Sequence, residues 1–218
     1  MTSRLRKGLL ALAWLTLSLA ADPVAADRAG RFDFYVLSLS WSPSYCARAG
    51  RDADPTQCRG PKPFGFIVHG LWPQYERGYP DFCTIPRGSE PDRQVIAKMM
   101  DIMPSRSLIR HQWRKHGSCS GLDADEYFRL TREAYAKVRI PPAFRTLERS
   151  VSVEPDAVEK AFRLANPGLR DTAIAVDCQA GRLSEVRICF TRDLDFRSCP
   201  AIDRRGCRAS RINLPAPH

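Results

Sequence analysis

The chain has 218 residues and a formal net charge of +10, enough length for one domain with a real core. A balance this basic favours anionic partners: nucleic acid, acidic polysaccharide or a membrane surface. The one long apolar run, at the N-terminus, is too short to cross a bilayer comfortably as a helix, which needs about 20 residues, and with no other such stretch the mature protein is expected to be soluble.

Arg4, Arg6 and Lys7 precede an apolar run from Gly8 to Ala21, and Val24-Ala25-Ala26 offers small residues for cleavage before Asp27. Residues 1–26 are expected to be a signal peptide and residues 27–218 the mature domain, exported to the periplasm or the medium. Arg4-Leu5-Arg6 is not a twin-arginine pair, so the general secretion route is expected. Removing three cations and Asp22 leaves a charge of +8. All eight cysteines lie in the mature part: Cys46, Cys58, Cys83, Cys119, Cys178, Cys189, Cys199 and Cys207. An even count in an exported chain reads as four disulfides. No Cys-x-x-Cys pair suggests a metal site instead.

In chain order, Phe32 to Trp41 alternates apolar and small polar residues, which predicts a strand. Ser42-Pro43-Ser44 ends it, and Cys46 to Cys58 reads as a polar loop. Phe64 to Val68 is a second predicted strand, with His69-Gly70 at its end, where chemistry is common. Tyr75 to Pro91 reads as irregular. Gln94 to Met103 is a predicted helix stopped by Pro104, and Ser105 or Ser107 caps the next. Asp123 and Glu126 form a capping-box signature for a helix that Pro141-Pro142 stops. Pro155 suits a further helix start, and Asn166-Pro167-Gly168 its end. Thr172 to Asp177 and Leu183 to Phe190 are strands joined at Gln179-Ala180-Gly181. The basic tail from Arg192 reads as loop. Helices and strands mix without strict alternation, so the expected class is α+β in a single domain.

Histidine is the informative residue. Of four in the chain, two lie in His111-Gln112-Trp113-Arg114-Lys115-His116-Gly117-Ser118-Cys119, and His69 lies in Phe66-Ile67-Val68-His69-Gly70-Leu71-Trp72-Pro73-Gln74. On a helix at about 100° per residue, His111, Lys115, Gln112 and His116 fall within an arc of about 140°. Trp113 lies at its edge, placed for burial, and Gly117 suits the helix end. Two imidazoles suit acid–base catalysis near neutral pH, and a lysine beside them suits a substrate that develops negative charge. A zinc protease helix would need its histidines four apart with a glutamate beside the first. Here they are five apart and the neighbour is Gln112. No Gly-x-Ser-x-Gly elbow supports a serine hydrolase. A basic, disulfide-bonded binding module without chemistry is the alternative from another class.

On these residues the chain resembles the ribonuclease T2 family. Its first signature is similar to Phe66-Ile67-Val68-His69-Gly70-Leu71-Trp72-Pro73. Its second, His-Glu-Trp-x-Lys-His-Gly-Thr-Cys, is similar to His111 to Cys119, with Gln112 for the family's Glu and Ser118 for its Thr. Tyr35 to Cys46, Val186 to Phe190 and Cys199-Pro200 extend the likeness, and the chain looks like a bacterial secreted or periplasmic member. The resemblance implies an antiparallel sheet with flanking helices and cleavage of single-stranded RNA through a 2′,3′-cyclic phosphate, with no metal or cofactor and no obligate protein partner. It implies His116 as general base, His69 as general acid, His111 as a phosphate-binding residue and Lys115 as the transition-state lysine. Trp72 is expected to support the cleft or contact a base. The expected disulfides are Cys46–Cys58, Cys83–Cys119, Cys178–Cys207 and Cys189–Cys199, the second matching the family's link to the catalytic helix. Gln112 is expected to donate a hydrogen bond from the active site; the alternative is a catalytically silent RNA-binding module of the same fold.

Overall fold

The computed structural model describes residues 27–217; the expected signal peptide, residues 1–26, and His218 lie outside the described residues. Strand β1 (Phe34–Trp41) runs into α1 (Ser42–Ala49) and the single-turn α2 (Pro55–Cys58), then β2 (Phe66–Gln74). Next come α3 (Arg93–Met99), α4 (Arg106–Lys115), α5 (Ala124–Ala136) and the short α6 (Pro142–Arg145). The chain finishes with β3 (Val151–Val153), α7 (Pro155–Ala165), the hairpin β4 (Ile174–Gln179) and β5 (Arg182–Phe190), α8 (Pro200–Asp203) and β6 (Ile212–Leu214). The class is α+β. One sheet runs β2-β1-β5-β6-β3, with β4 also paired to β5. Every pairing is antiparallel except a parallel bridge between Arg182 and Asn213.

Alternation in β1 divides the sheet into two faces. Tyr35, Leu37, Leu39 and Trp41 join the main core with Val186 and Ile188 of β5 and the apolar sides of the long helices. Phe34, Val36, Ser38 and Ser40 point to the other face. The helices start where the caps dictate. Ser105 accepts from the Leu108 amide at 3.2 Å, and Asp123 and Glu126 close a reciprocal capping box on α5. Tyr127 of α5 is fully buried and its hydroxyl donates to the Leu71 carbonyl at 2.7 Å, fixing α5 to β2. Four disulfides close: Cys46–Cys58, Cys83–Cys119, Cys178–Cys207 and Cys189–Cys199. Each contributes on the order of 2–4 kcal/mol.

Several expectations are corrected. The stretch from Cys46 to Cys58 holds helical turns, because Pro43 in the first turn of α1 initiates a helix where the strand stops. The helix expected to reach Met103 ends at Met99. Strand β4 begins at Ile174, after a 3₁₀ turn over Asp171–Ala173. The basic tail contains α8 and β6, and β6 pairs with β3. Gly117 is required by packing rather than by a left-handed cap. A Cβ there would lie 2.5 Å from the Trp113 ring and 2.9 Å from that of Tyr127.

Candidate active site

The largest correction concerns β2, which continues through His69 to Gln74 instead of ending at Val68. Its pairing with β1 shifts by one residue between Ser38, which faces Gly70, and Leu39, which faces Val68. His69 is the extra residue. Such a bulge re-aims a side chain. Val68 and Leu71 keep their places in the core, and His69 turns to the same side as Trp72. The cleft on that side has a volume of about 300 Å³.

Helix α4 supplies the opposite wall. Its core side carries Ile109 and Trp113, both fully buried. Its other side brings His111, Gln112 and Lys115 to the cleft, with His116 as the residue that caps the helix end. All six of the expected active-site residues, His69, Trp72, His111, Gln112, Lys115 and His116, therefore line one cleft. Trp72 sits between the two proposed catalytic rings, 5.3 Å from His69 and 5.2 Å from His116, and stacks on the latter. The Trp72 indole N–H donates to Gln112 Oε1 at 2.7 Å. An indole N–H only donates, so this contact fixes the amide orientation of the buried Gln112 and leaves its NH₂ for another acceptor. Gly70 lies under this pair. A Cβ there would meet Gln112 Oε1 at 2.1 Å and Trp72 Nε1 at 2.5 Å, so only glycine lets the strand pass.

The two histidines differ in their surroundings. His116 is buried, and its Nδ1 has no hydrogen-bond partner among the described residues. Burial, then the charges of Lys115, His69 and His111, lower its pKa to about 3. His69 is partly exposed, and its Nδ1 faces Glu185 Oε1 at 2.5 Å. The other Glu185 oxygen accepts from Arg187 Nε at 2.9 Å and Nη2 at 2.8 Å. Burial pushes the Glu185 carboxyl up, but its bonds and charge attraction to His69 and Arg187 prevail and hold it at about 2. His111 lies on the rim, its pKa lowered by partial burial and by the charges of Lys115, Arg114 and His69.

Glu185 and Arg187 are not among the site residues expected from the sequence, and neither are two aromatic rings from the stretch expected to be irregular. Tyr79, 45% exposed, has the Lys115 ammonium 5.9 Å from its ring centroid. Phe82, 59% exposed, lies edge-on to His111 at 6.5 Å. The Phe82 amide donates to the Lys115 carbonyl at 2.9 Å, and Cys83–Cys119 anchors the loop beside it. Arg205 from the tail also lines the cleft, held near the sheet by Cys178–Cys207. The signal for Glu185 and Arg187 was a charged pair, two residues apart, inside an apolar strand. Arg114 stays outside the machinery, exposed, with its nearest acid Glu90 at 3.9 Å.

The Ribonuclease T2 family model matches residues 32–199. The chain belongs to the ribonuclease T2 family. A "Ribonuclease" of Aeromonas hydrophila is 35% identical over 190 residues, covering 85% of this chain and 82% of that protein. The solved structure of RNase NT in complex with 5′-AMP is 27% identical with a TM-score of 0.60, covering 86% of this chain and 99% of that one. An RNase-related protein from Calystegia sepium shares the fold at 22% identity and a TM-score of 0.66, over 84% and 97% of the two chains. This T2 family member is thus a ribonuclease, and its family signatures are the two walls of the cleft just described.

Proposed function

We propose that the enzyme is an endoribonuclease that cleaves single-stranded RNA by metal-independent transphosphorylation, with His116 as base and His69 as acid. One observation carries the assignment: the two imidazoles share one cleft in opposite environments. A neutral ring that resists protonation suits a base; a ring whose Nδ1 proton is held by a carboxylate suits an acid. His116 takes the proton of the ribose 2′-OH, and the 2′ oxygen bonds to phosphorus. As the bond from phosphorus to the 5′ oxygen breaks, His69 gives its proton to that oxygen. The products are a 2′,3′-cyclic phosphate and a 5′-hydroxyl. Lys115, the Gln112 amide and His111 stabilise charge on the phosphoryl oxygens. Trp72 and the exposed rings of Tyr79 and Phe82 offer faces for unpaired bases, which supports a single-stranded substrate. The net charge favours the polyanion. Four disulfides support export to an oxidising compartment, periplasm or medium.

The test is direct. Purified mature protein incubated with RNA in EDTA is expected to yield fragments ending in 2′,3′-cyclic phosphate. Binding without cleavage, or cleavage abolished by the chelator, would remove this reading.

A further inference from the structure

We propose that Glu185 is a positioning residue for His69: its carboxylate holds the Nδ1 proton, so that the ring presents its second proton, on Nε2, to the leaving 5′ oxygen. The proposal rests on the reading of His69 as the acid. Arg187 is the second half of the device, because it holds the carboxylate still and moderates its charge.

The placement is built into the sheet. Alternation in β5 puts Glu185 and Arg187 on the cleft face; their partners on β1 are Ser40 and Ser38, and on β4 Glu185 faces Asp177 and Arg187 faces Ala175. Serines opposite leave room for two long side chains. Glu185 is 7% exposed, a setting in which a glutamate is rarely found unless paired. Each of its oxygens is engaged, one by His69 at 2.5 Å and the other by both Arg187 contacts. Arg187 is itself braced, with Asp177 Oδ2 at 3.6 Å and the Trp72 ring at 5.6 Å. A carboxylate engaged on both oxygens has no free rotation. The bulge at His69 completes the arrangement from the other strand.

An ionised carboxylate only accepts hydrogen bonds, so the Glu185 contact places a proton on Nδ1. The second proton of the imidazolium then sits on Nε2. The other charged or titratable groups that line the cleft with His69 are Arg187 on β5, His111 and Lys115 on α4, His116 at its end, Tyr79 and Arg205. Tyr45, Arg48 and Arg114 line the adjoining pocket that His69 also borders. Glu185 is the carboxylate that lines both beside His69, and Asp177, across from it on β4, is engaged with Arg187. When the bond to the 5′ oxygen breaks, the Nε2 proton passes to that oxygen and its bonding pair stays on the ring. His69 is left neutral with Nδ1–H still on Glu185.

The experiment uses the mature enzyme and two substrates. A dinucleoside monophosphate has a poor leaving group that needs the proton; a nucleoside 3′-(4-nitrophenyl phosphate) has one that leaves as a stable anion. Glu185→Gln is expected to lower kcat on the first by about 10- to 100-fold, with KM nearly unchanged, and to spare the second. The alkaline limb of its kcat profile should move down by about one pH unit, because removing the anion makes the imidazolium easier to deprotonate. Arg187→Gln should move that limb up, because a cation is removed beside His69. This variant also carries the test if Glu185→Gln does not fold. Equal losses on both substrates, or a folded Glu185→Gln with normal kcat, would overturn the positioning role, as would an Arg187→Gln limb that stays in place or moves down. His69→Ala separates the two layers: if it loses both substrates equally, the acid assignment itself fails, whatever Glu185 does.

Discussion

Two histidines in one cleft are given opposite properties. His69 stands on a bulged strand, partly exposed, with a carboxylate on Nδ1. His116 caps a helix, buried, stacked on Trp72, with no partner for Nδ1 and Lys115 next to it in sequence. The first environment gives a ring proton a carboxylate acceptor and the second opposes protonation of the ring. Pairs of titratable groups whose surroundings separate them in this way divide acid from base work. Neither signature carries the division by itself, since each supplies only a histidine. The separation comes from what the fold sets against them: β5 on one side, the core and α4 on the other.

The comparison breaks most clearly at the histidines themselves. His69→Ala and His116→Ala are each expected to lower turnover by about 10²–10⁴-fold, the usual worth of a positioned acid or base. The folding costs should differ in kind. His69→Ala leaves Glu185 buried without one of its partners, a penalty of about 1–3 kcal/mol, whereas His116→Ala removes a ring that makes no Nδ1 bond. Steady-state kinetics with urea unfolding of both variants checks this. Near-normal turnover in two folded variants would eliminate the two-histidine mechanism.

A smaller effect tests the His116 side alone. The Trp72 contact fixes the Gln112 carbonyl oxygen, so the free amide NH₂ can donate to a phosphoryl oxygen at any pH. Gln112→Ala is expected to cost roughly 10–10³-fold in kcat, at or below the loss of an oxyanion donor. Gln112→Glu should stay active with a changed pH profile, since its carboxyl can still accept from Trp72 but now titrates. If the wild type is inactive and Gln112→Glu restores cleavage, the catalytically silent reading of this protein is correct.

What the sequence revealed about this comparison follows from range. The His111 to Cys119 stretch was legible because helical spacing is local: it put His111, Gln112, Lys115 and His116 on a shared arc and Trp113 into the core. The caps at Ser105 and Asp123 were legible for the same reason. The bulge was not, because a register shift is a relation between β1 and β2 that neither strand states. Reading His69 as a strand end was the consequence. Glu185 was hidden similarly; 116 residues separate it from His69, and an acid inside a strand usually signals only a solvated face. Strands β3 and β6 have three residues each, too few for any alternation to register.

The smallest expected effect is on pH dependence, and it follows from the His116 side. A base must be neutral to act. With its pKa lowered from 6.5 to about 3, His116 should remain competent far into acid, so kcat/KM should not lose activity to protonation of this ring as pH falls through 6. The same shift affects stability with a definite sign. Below pH 6.5 the unfolded chain binds a proton at this histidine and the folded chain does not, down to about pH 3. The unfolded state therefore binds more protons, and stability falls as pH drops across that window. His111, also lowered, adds to the slope. Glu185 joins only below about 4.5, where the unfolded chain takes a proton that the folded carboxylate refuses until about pH 2. Urea midpoints at pH 7, 5.5 and 4.5 should decline in the wild type and decline less in His116→Ala. A wild-type midpoint that stays flat from pH 7 to 4.5, or an unchanged slope in His116→Ala, would contradict a neutral buried His116. On this account acid weakens the fold before it disarms the base, and any acid optimum for cleavage is limited by stability rather than by His116.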